Sequence, residues 1–171
     1  MKALGWFLLG VAFFLMVVHI IVGISCYYNY ENSVYCWWSL ADKSSTISAK
    51  EENIDKFVDA LSKTINLNDH NAMFLKTPNN SGKYNFEALK TLQSRLKEIK
   101  NMKVNSFEYQ TAIQQITAQE QGEAKEMLKV FDGIYTKTNY PICWDWYGGL
   151  FMLVYFTLGT VGTVMICSDD Y

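Results

Sequence analysis

The sequence predicts an all-α membrane protein, in which two transmembrane helices form a hairpin with both termini on the same side and an extramembrane helical bundle lies between them. Long apolar runs without acidic or permanently charged residues occupy both ends of the chain. The stretch between them repeats its apolar residues at helical spacing, and aromatic residues cluster where the runs meet it. Only 19% of the 171 residues are charged, below the roughly 25% typical of soluble domains.

The first apolar run extends from Trp6 to Ser25 and contains a single ionisable residue, His19. As a helix it would span about 30 Å, the thickness of a bilayer core. We therefore predict a transmembrane helix over residues 4–25. A signal peptide, including a lipoprotein signal that ends at Cys26, is the alternative. A cleavable apolar region usually has about 7–15 residues, so the longer run here favours a membrane anchor.

The second apolar run covers residues 147–167 and has no charged side chain. We predict a second transmembrane helix here, because the middle of the chain is too small to enclose two such helices in a soluble core. Lys2 precedes the first span, whereas residues 26–42 and 138–171 contain no Lys or Arg. The positive-inside rule then predicts cytoplasmic termini, with residues 26–146 on the periplasmic or extracellular side of a bacterial inner membrane or a eukaryotic plasma membrane.

Two aromatic-rich juxtamembrane segments, residues 26–46 and 136–146, flank the extramembrane region. Amphipathic aromatic rings favour the headgroup level of a bilayer. The sequence therefore predicts an aromatic belt that contains Tyr27, Tyr28, Trp37, Trp38, Trp144, Trp146 and Tyr147. The alternative is an aromatic platform for a lipid, a sugar or a partner's transmembrane helix.

The extramembrane region, residues 47–135, is predicted to form three helices over about 48–66, 85–102 and 106–135. The first opens with the capping-box pattern Ser48-Ala-Lys-Glu51, and its apolar stripe is Ile54, Phe57, Val58, Leu61 and Ile65. The second carries a coiled-coil interaction seam of Leu89, Leu92, Leu96 and Ile99. The third is capped by Asn105 or Ser106. We expect a small antiparallel bundle, whose seam needs an apolar partner within the bundle or on another chain.

His19 is the one ionisable residue within a predicted span, where such groups are costly and often functional. If Cys26 is level with Tyr147 in the hairpin, His19 lies beside Val154 and Tyr155. We predict an intramembrane polar pair in which His19 and Tyr155 share a hydrogen bond. A hydrogen bond to a partner subunit is the first alternative. Proton transfer or haem ligation is the second, so that His19 is a weak candidate for a cofactor ligand.

Small residues on the second span predict a helix-packing site. Gly159 and Thr163 form a small-xxx-small pair, which permits close helix approach. This pair could serve the intrachain hairpin, a homo-oligomer or docking to another membrane protein.

The cysteines predict one disulfide in the proposed topology. Cys36 and Cys143 lie just outside the two spans on the same predicted face, and each is followed by tryptophan, so we predict a bridge between them. Cys167 would remain a thiol on the reducing side. The alternatives are four buried thiols, a Cys26–Cys143 bridge, or a Cys26 bridge between chains.

The chain shows no pattern typical of an enzyme or a metal site. It lacks a nucleotide-binding glycine pattern and paired Cys-x-x-Cys or His-x-x-His motifs. A net charge of −2 gives no excess of positive charge of the kind that binds nucleic acid. We predict no catalytic residues, no metal and no cofactor.

The expected role is a non-catalytic accessory, assembly or regulatory subunit whose partners are the lipid bilayer and other membrane subunits or copies of itself. A homo-oligomeric two-span channel is the alternative, followed by a His19-dependent haem or proton carrier.

Overall fold

A computed structural model describes residues 2–102 and 107–168, and within residues 107–123 it describes the side chains of 109–111 and 114 alone. Its α-helices are α1 (Lys2–Tyr30), α2 (Cys36–Asp42), α3 (Ile47–Thr64), α4 (Gly82–Lys100), α5 (Phe107–Asn139) and α6 (Asp145–Cys167). A π-helical turn (Glu31–Tyr35) joins α1 to α2. Single 3-10 turns, Pro78–Asn80 and Pro141–Cys143, precede α4 and α6. The described part of the chain is therefore all-helical, as the sequence predicts.

The chain divides into two compact units. The first, the apolar unit, comprises the chain up to Tyr27 and from Tyr140 onward, and the second, the bundle unit, comprises Tyr28–Asn139. Two helical stretches, Lys2–Asp42 and Asp145–Cys167, are long and apolar enough to cross a membrane. The predicted spans 4–25 and 147–167 lie within these stretches.

The segment after the first span is helical as far as Asp42. Val34, Trp38 and Ala41 are spaced four and three residues apart and are all buried, so this aromatic segment has a helical stripe of its own. The Asn32 amide and the Cys36 thiol donate hydrogen bonds of 2.7 and 3.0 Å to carbonyl oxygens four residues earlier. These local bonds satisfy polar side chains within the helix.

Helix α3 begins one residue before the predicted capping box. Thr46 is the N-cap, because its hydroxyl accepts a hydrogen bond of 3.2 Å from the Ala49 N–H. The predicted N-cap, Ser48, lies inside the helix. The apolar stripe is buried as a set: Ile54, Phe57, Val58, Leu61 and Ile65.

The core of the bundle unit is centred on Phe57. Its ring makes edge contacts with Trp38, at a centroid distance of 5.5 Å, and with Phe131, at 6.2 Å. Both phenylalanines are fully buried. These contacts join the helices α2, α3 and α5, which are far apart in sequence, into one apolar core.

Helix α4 begins before its predicted start, and helix α5 ends after its predicted end. Helix α4 begins at Gly82 because Ser81 caps it, with the Ser81 hydroxyl accepting a hydrogen bond from the Tyr84 N–H at 3.4 Å. Helix α5 continues to Asn139 and stops two residues before Pro141, whose ring disfavours helix in the preceding residue. The predicted α5 caps, Asn105 and Ser106, lie outside the described residues.

Candidate functional site

Within the apolar unit, α1 and α6 approach each other through glycine. A Cβ placed on Gly5 would lie 2.8 Å from the carbonyl oxygen of Gly162, and one placed on Gly162 would lie 2.9 Å from the carbonyl oxygen of Gly5. Both distances are too short for a real side chain. The two backbones therefore touch at this crossing, in the manner of small-residue contacts between transmembrane helices.

His19 packs against aromatic rings of α6. Its ring stacks on Phe151 at a centroid distance of 5.5 Å and meets the edge of Tyr155 at 6.2 Å. The structure thus brings His19 and Tyr155 together through their rings. The buried Nδ1 of His19 has no hydrogen-bond partner among the described residues, so this nitrogen does not make the predicted bond to Tyr155.

An apolar groove runs beside the contact between α1 and α6. Its volume is about 520 Å³. We call it the α1–α6 groove, and its lining is Leu9, Ala12, Phe13, Met16, Tyr155, Phe156, Gly159, Thr160, Thr163 and Val164. The predicted helix-packing pair, Gly159 and Thr163, lies in this groove. Gly159 also faces α1, because a Cβ on it would meet the Ala12 methyl group at 3.9 Å.

The threonine hydroxyls of α6 are engaged by their own helix. Thr157 donates to the Val154 carbonyl at 2.8 Å, and Thr160 donates to the Thr157 carbonyl at 2.9 Å. Thr163 does the same to the Gly159 carbonyl at 2.9 Å. Their methyl groups are then free to face an apolar surface. The groove is therefore less polar than the threonines in its lining would suggest.

Cys36 and Cys143 are both thiols in the structure, which does not contain the predicted disulfide. The Cys36 thiol donates its hydrogen bond within its own helix, to the Asn32 carbonyl. Burial raises the pKa of the Cys143 thiol, and the charge interaction with Cys26 raises it further.

The predicted aromatic belt separates into exposed and buried members. The exposed rings are Tyr27, Tyr28, Trp146 and Tyr147, whereas Trp38 and Trp144 are buried. Trp38 packs on Phe57 because it lies on the side of α2 that faces α3. The Trp37 ring is covered by the Lys56 ammonium, which lies 5.1 Å from its centroid. Trp38 therefore belongs to the core of the bundle unit, whereas Trp37 is half-buried on its surface.

The predicted interaction seam lies on α4 and mostly faces the bundle. Leu89, Leu96 and Ile99 are buried, and Leu92 is half-buried. Beside the seam, polar links that the sequence did not reveal join α4 to α3. Lys100 contacts Glu51 at 2.8 Å, and Lys97 contacts Asp55 at 3.1 Å. The hydrogen bond and the charge of Glu51 raise the pKa of Lys100.

Among the described residues, no three His, Cys, Asp or Glu side chains are grouped so that they could hold a metal ion. His70 lies in the loop between α3 and α4, where its backbone pairs with Ser81. His19 and His70 belong to different units. No family model matches the chain, and neither the curated proteins nor the solved structures contain a match to it.

Proposed function

We propose that this chain is a non-catalytic membrane accessory, assembly or regulatory subunit. Its outer helices and transmembrane surface would bind partner subunits, with residues 26–146 on the periplasmic or extracellular side. The observation that carries the proposal is the α1–α6 groove. An apolar surface of large side chains interspersed with glycine, alanine and threonine, beside two helices already in backbone contact, suits the side chains of a third apolar helix.

The polar groups of α6 favour this role over a homo-oligomeric channel. A pore needs polar groups that face a shared aqueous path. Instead, the hydroxyls of Thr157, Thr160 and Thr163 each bond to a carbonyl oxygen of α6. Packing against a partner helix requires only their methyl groups, which stay available.

One observation supports a second candidate, the His19-dependent haem or proton carrier. The buried Nδ1 of His19 has no hydrogen-bond partner in the described structure, and orphaned polar atoms at membrane depth often have a functional use. Because each chain has one histidine in its predicted spans, a haem bound there would need a second axial ligand from another chain or from an added molecule. Soret absorbance of the purified protein would support this candidate over the accessory role.

The test uses two matched threonines on α6. Thr163 lines the groove and Thr157 does not, yet both are exposed and both bond to their own helix. Thr163→Leu should fill the groove and reduce the amount of partner subunit that co-purifies in mild detergent, measured by quantitative mass spectrometry. Thr157→Leu should leave that amount unchanged.

The same experiment separates the alternatives. Equal recovery of partners with Thr163→Leu and with the wild-type chain would contradict the groove as a binding surface. If the wild-type chain purifies only with copies of itself, and Thr163→Leu dissociates them, self-association replaces the accessory role.

A further inference from the structure

Residues of α1 that contact α6 recur at seven-residue intervals. Gly5 meets the backbone of Gly162, and Ala12 lies opposite Gly159. His19 follows Ala12 by seven residues, and its ring stacks on an aromatic ring of α6. A position that recurs every seven residues stays on the face of a helix that packs lengthwise against another helix. One face of α1 therefore lies against α6 from Gly5 to His19.

Cys26 continues this series at the end of the first apolar run, seven residues beyond His19. The stacking partner of His19 on α6 is Phe151, and Trp144 precedes Phe151 by the same seven residues. Because α1 and α6 run antiparallel, this register places Cys26 level with Trp144 and with the neighbouring Cys143. Cys26 is 5% exposed, as a position on the covered face of α1 requires.

The electrostatics of the two thiols agree with this register. Burial raises the pKa of Cys143, and a charge interaction with Cys26 raises it further. Coulomb interactions weaken with distance, so this one fits two sulfurs at the same level of the hairpin. Cys26 and Cys143 also belong to one compact unit, the apolar unit. Cys36 belongs to the bundle unit, and its thiol donates a hydrogen bond within its own helix.

We propose that Cys26 and Cys143 form a disulfide that joins the end of α1 to the turn before α6. The inference rests on the topology in the proposed function, which places both thiols on the oxidising periplasmic or extracellular side. The bridge would tie together the two segments through which the chain passes between the apolar unit and the bundle unit. Both cysteines are thiols in the structure, which therefore describes the reduced form of the pair.

The reaction is thiol–disulfide exchange with an oxidoreductase that carries a disulfide. Cys143 is half-buried and Cys26 is buried, so the Cys143 thiolate attacks one sulfur of that disulfide and releases the other as a thiolate. The Cys26 thiolate then attacks the mixed disulfide at the Cys143 sulfur, and the second thiolate of the oxidoreductase leaves. The cysteine pair loses two electrons and two protons, and the oxidoreductase gains them as a dithiol.

The test compares two full-length chains that each retain two cysteines. The first chain carries Cys36→Ser and Cys167→Ser, and it keeps the proposed pair. The second chain carries Cys26→Ser and Cys167→Ser, and it keeps Cys36 and Cys143. Cells that express each chain are quenched in acid, and thiols are labelled with a maleimide-linked polymer before or after reduction. The first chain should take up label only after reduction, whereas the second should take up label without it.

Peptide mapping of the wild-type chain provides a measurement that depends on no substitution. Chymotrypsin cuts after aromatic residues such as Tyr27 and so separates Cys26 from Cys36. Without reductant, mass spectrometry should find the Cys26 peptide joined to the Cys143 peptide. A Cys36–Cys143 pair, or a bridge between two chains through Cys26, would overturn the proposal.

If both thiols of the first chain are labelled in cells, treatment of the purified chain with oxidised glutathione identifies which assumption fails. A bridge that forms there severalfold faster than in the second chain would keep the register but contradict the proposed topology, and the disulfide in the cell with it. No bridge in oxidised glutathione would contradict the register and leave the proposed function standing.

Discussion

Gly133 lies directly beneath the side chain of Asn71, so closely that a Cβ on residue 133 would overlap the Asn71 amide. That amide donates a hydrogen bond to the carbonyl oxygen of Lys129, one turn earlier in α5. Glycine within a helix costs about 1 kcal/mol relative to alanine. Here it leaves room for a loop side chain to dock on the helix backbone.

This contact predicts a background-dependent effect of Gly133→Ala. In the wild-type chain, the gain in helix propensity is offset because the new methyl group displaces Asn71 from the Lys129 carbonyl. In an Asn71→Ala chain no amide is displaced, so Gly133→Ala should be more favourable there by about 1 kcal/mol. Thermal unfolding of the four chains in mild detergent, followed by circular dichroism, measures the difference. The same effect in both backgrounds would show that Asn71 does not constrain residue 133.

The Asp69–Lys137 ion pair predicts a loss of stability in acid. Burial by itself raises the pKa of Asp69, but hydrogen bonds from the Lys137 ammonium and the His70 N–H, with the charges of Lys137 and Lys76, outweigh it and lower the pKa. Because the folded pKa is below the unfolded value of about 3.9, the stabilisation is complete above that pH. It disappears as the pH falls through the folded pKa.

Asp69→Asn should therefore lower the melting temperature at neutral pH and flatten its decline in acid. Asp59→Asn is the control, because Asp59 pairs with Lys63 on the surface of α3 and exposed i,i+4 pairs contribute only about 0.3–0.5 kcal/mol. Parallel melting curves for wild type and Asp69→Asn across the acid range would contradict the assignment.

The interaction seam predicts that substituting two of its leucines lowers the free energy of unfolding by different amounts. Leu96 is 0% exposed, so Leu96→Ala should leave a cavity and cost about 2–5 kcal/mol of unfolding free energy. Leu92 is only half-buried, and Leu92→Ala should cost less. Comparable losses at the two positions in thermal unfolding would mean that Leu92 is covered in solution by a second chain.

The topology predicted from the sequence is tested by protease protection. With both termini cytoplasmic, protease added to intact cells or spheroplasts should cut the chain between residues 26 and 146 and spare tags at both ends. The expectation follows from the absence of Lys and Arg in residues 26–42 and 138–171. Loss of either tag from intact cells would contradict the prediction that both termini are cytoplasmic.

Features that depend on local pattern can be predicted from the order of residues alone. Unbroken apolar runs predict α1 and α6, because a helix of that length and composition satisfies its own backbone hydrogen-bonding groups without neighbours. The stripe from Ile54 to Ile65 marks the buried face of α3 in the same way. Simple counting of residues along an antiparallel hairpin also placed His19 opposite Tyr155, where the rings meet.

The contacts between distant residues, by contrast, become visible once the helices are packed together. The bond between Asn71 and Lys129 joins residues 58 positions apart, and the pair Lys137–Asp69 joins residues 68 positions apart. No periodic pattern in the sequence indicates pairs of residues this far apart. Trp38, an expected member of the aromatic belt, is buried on Phe57, because the face a side chain presents depends on the helix that packs beside it. Periodicity shows which residues need burial, whereas the packing of faces decides what buries them.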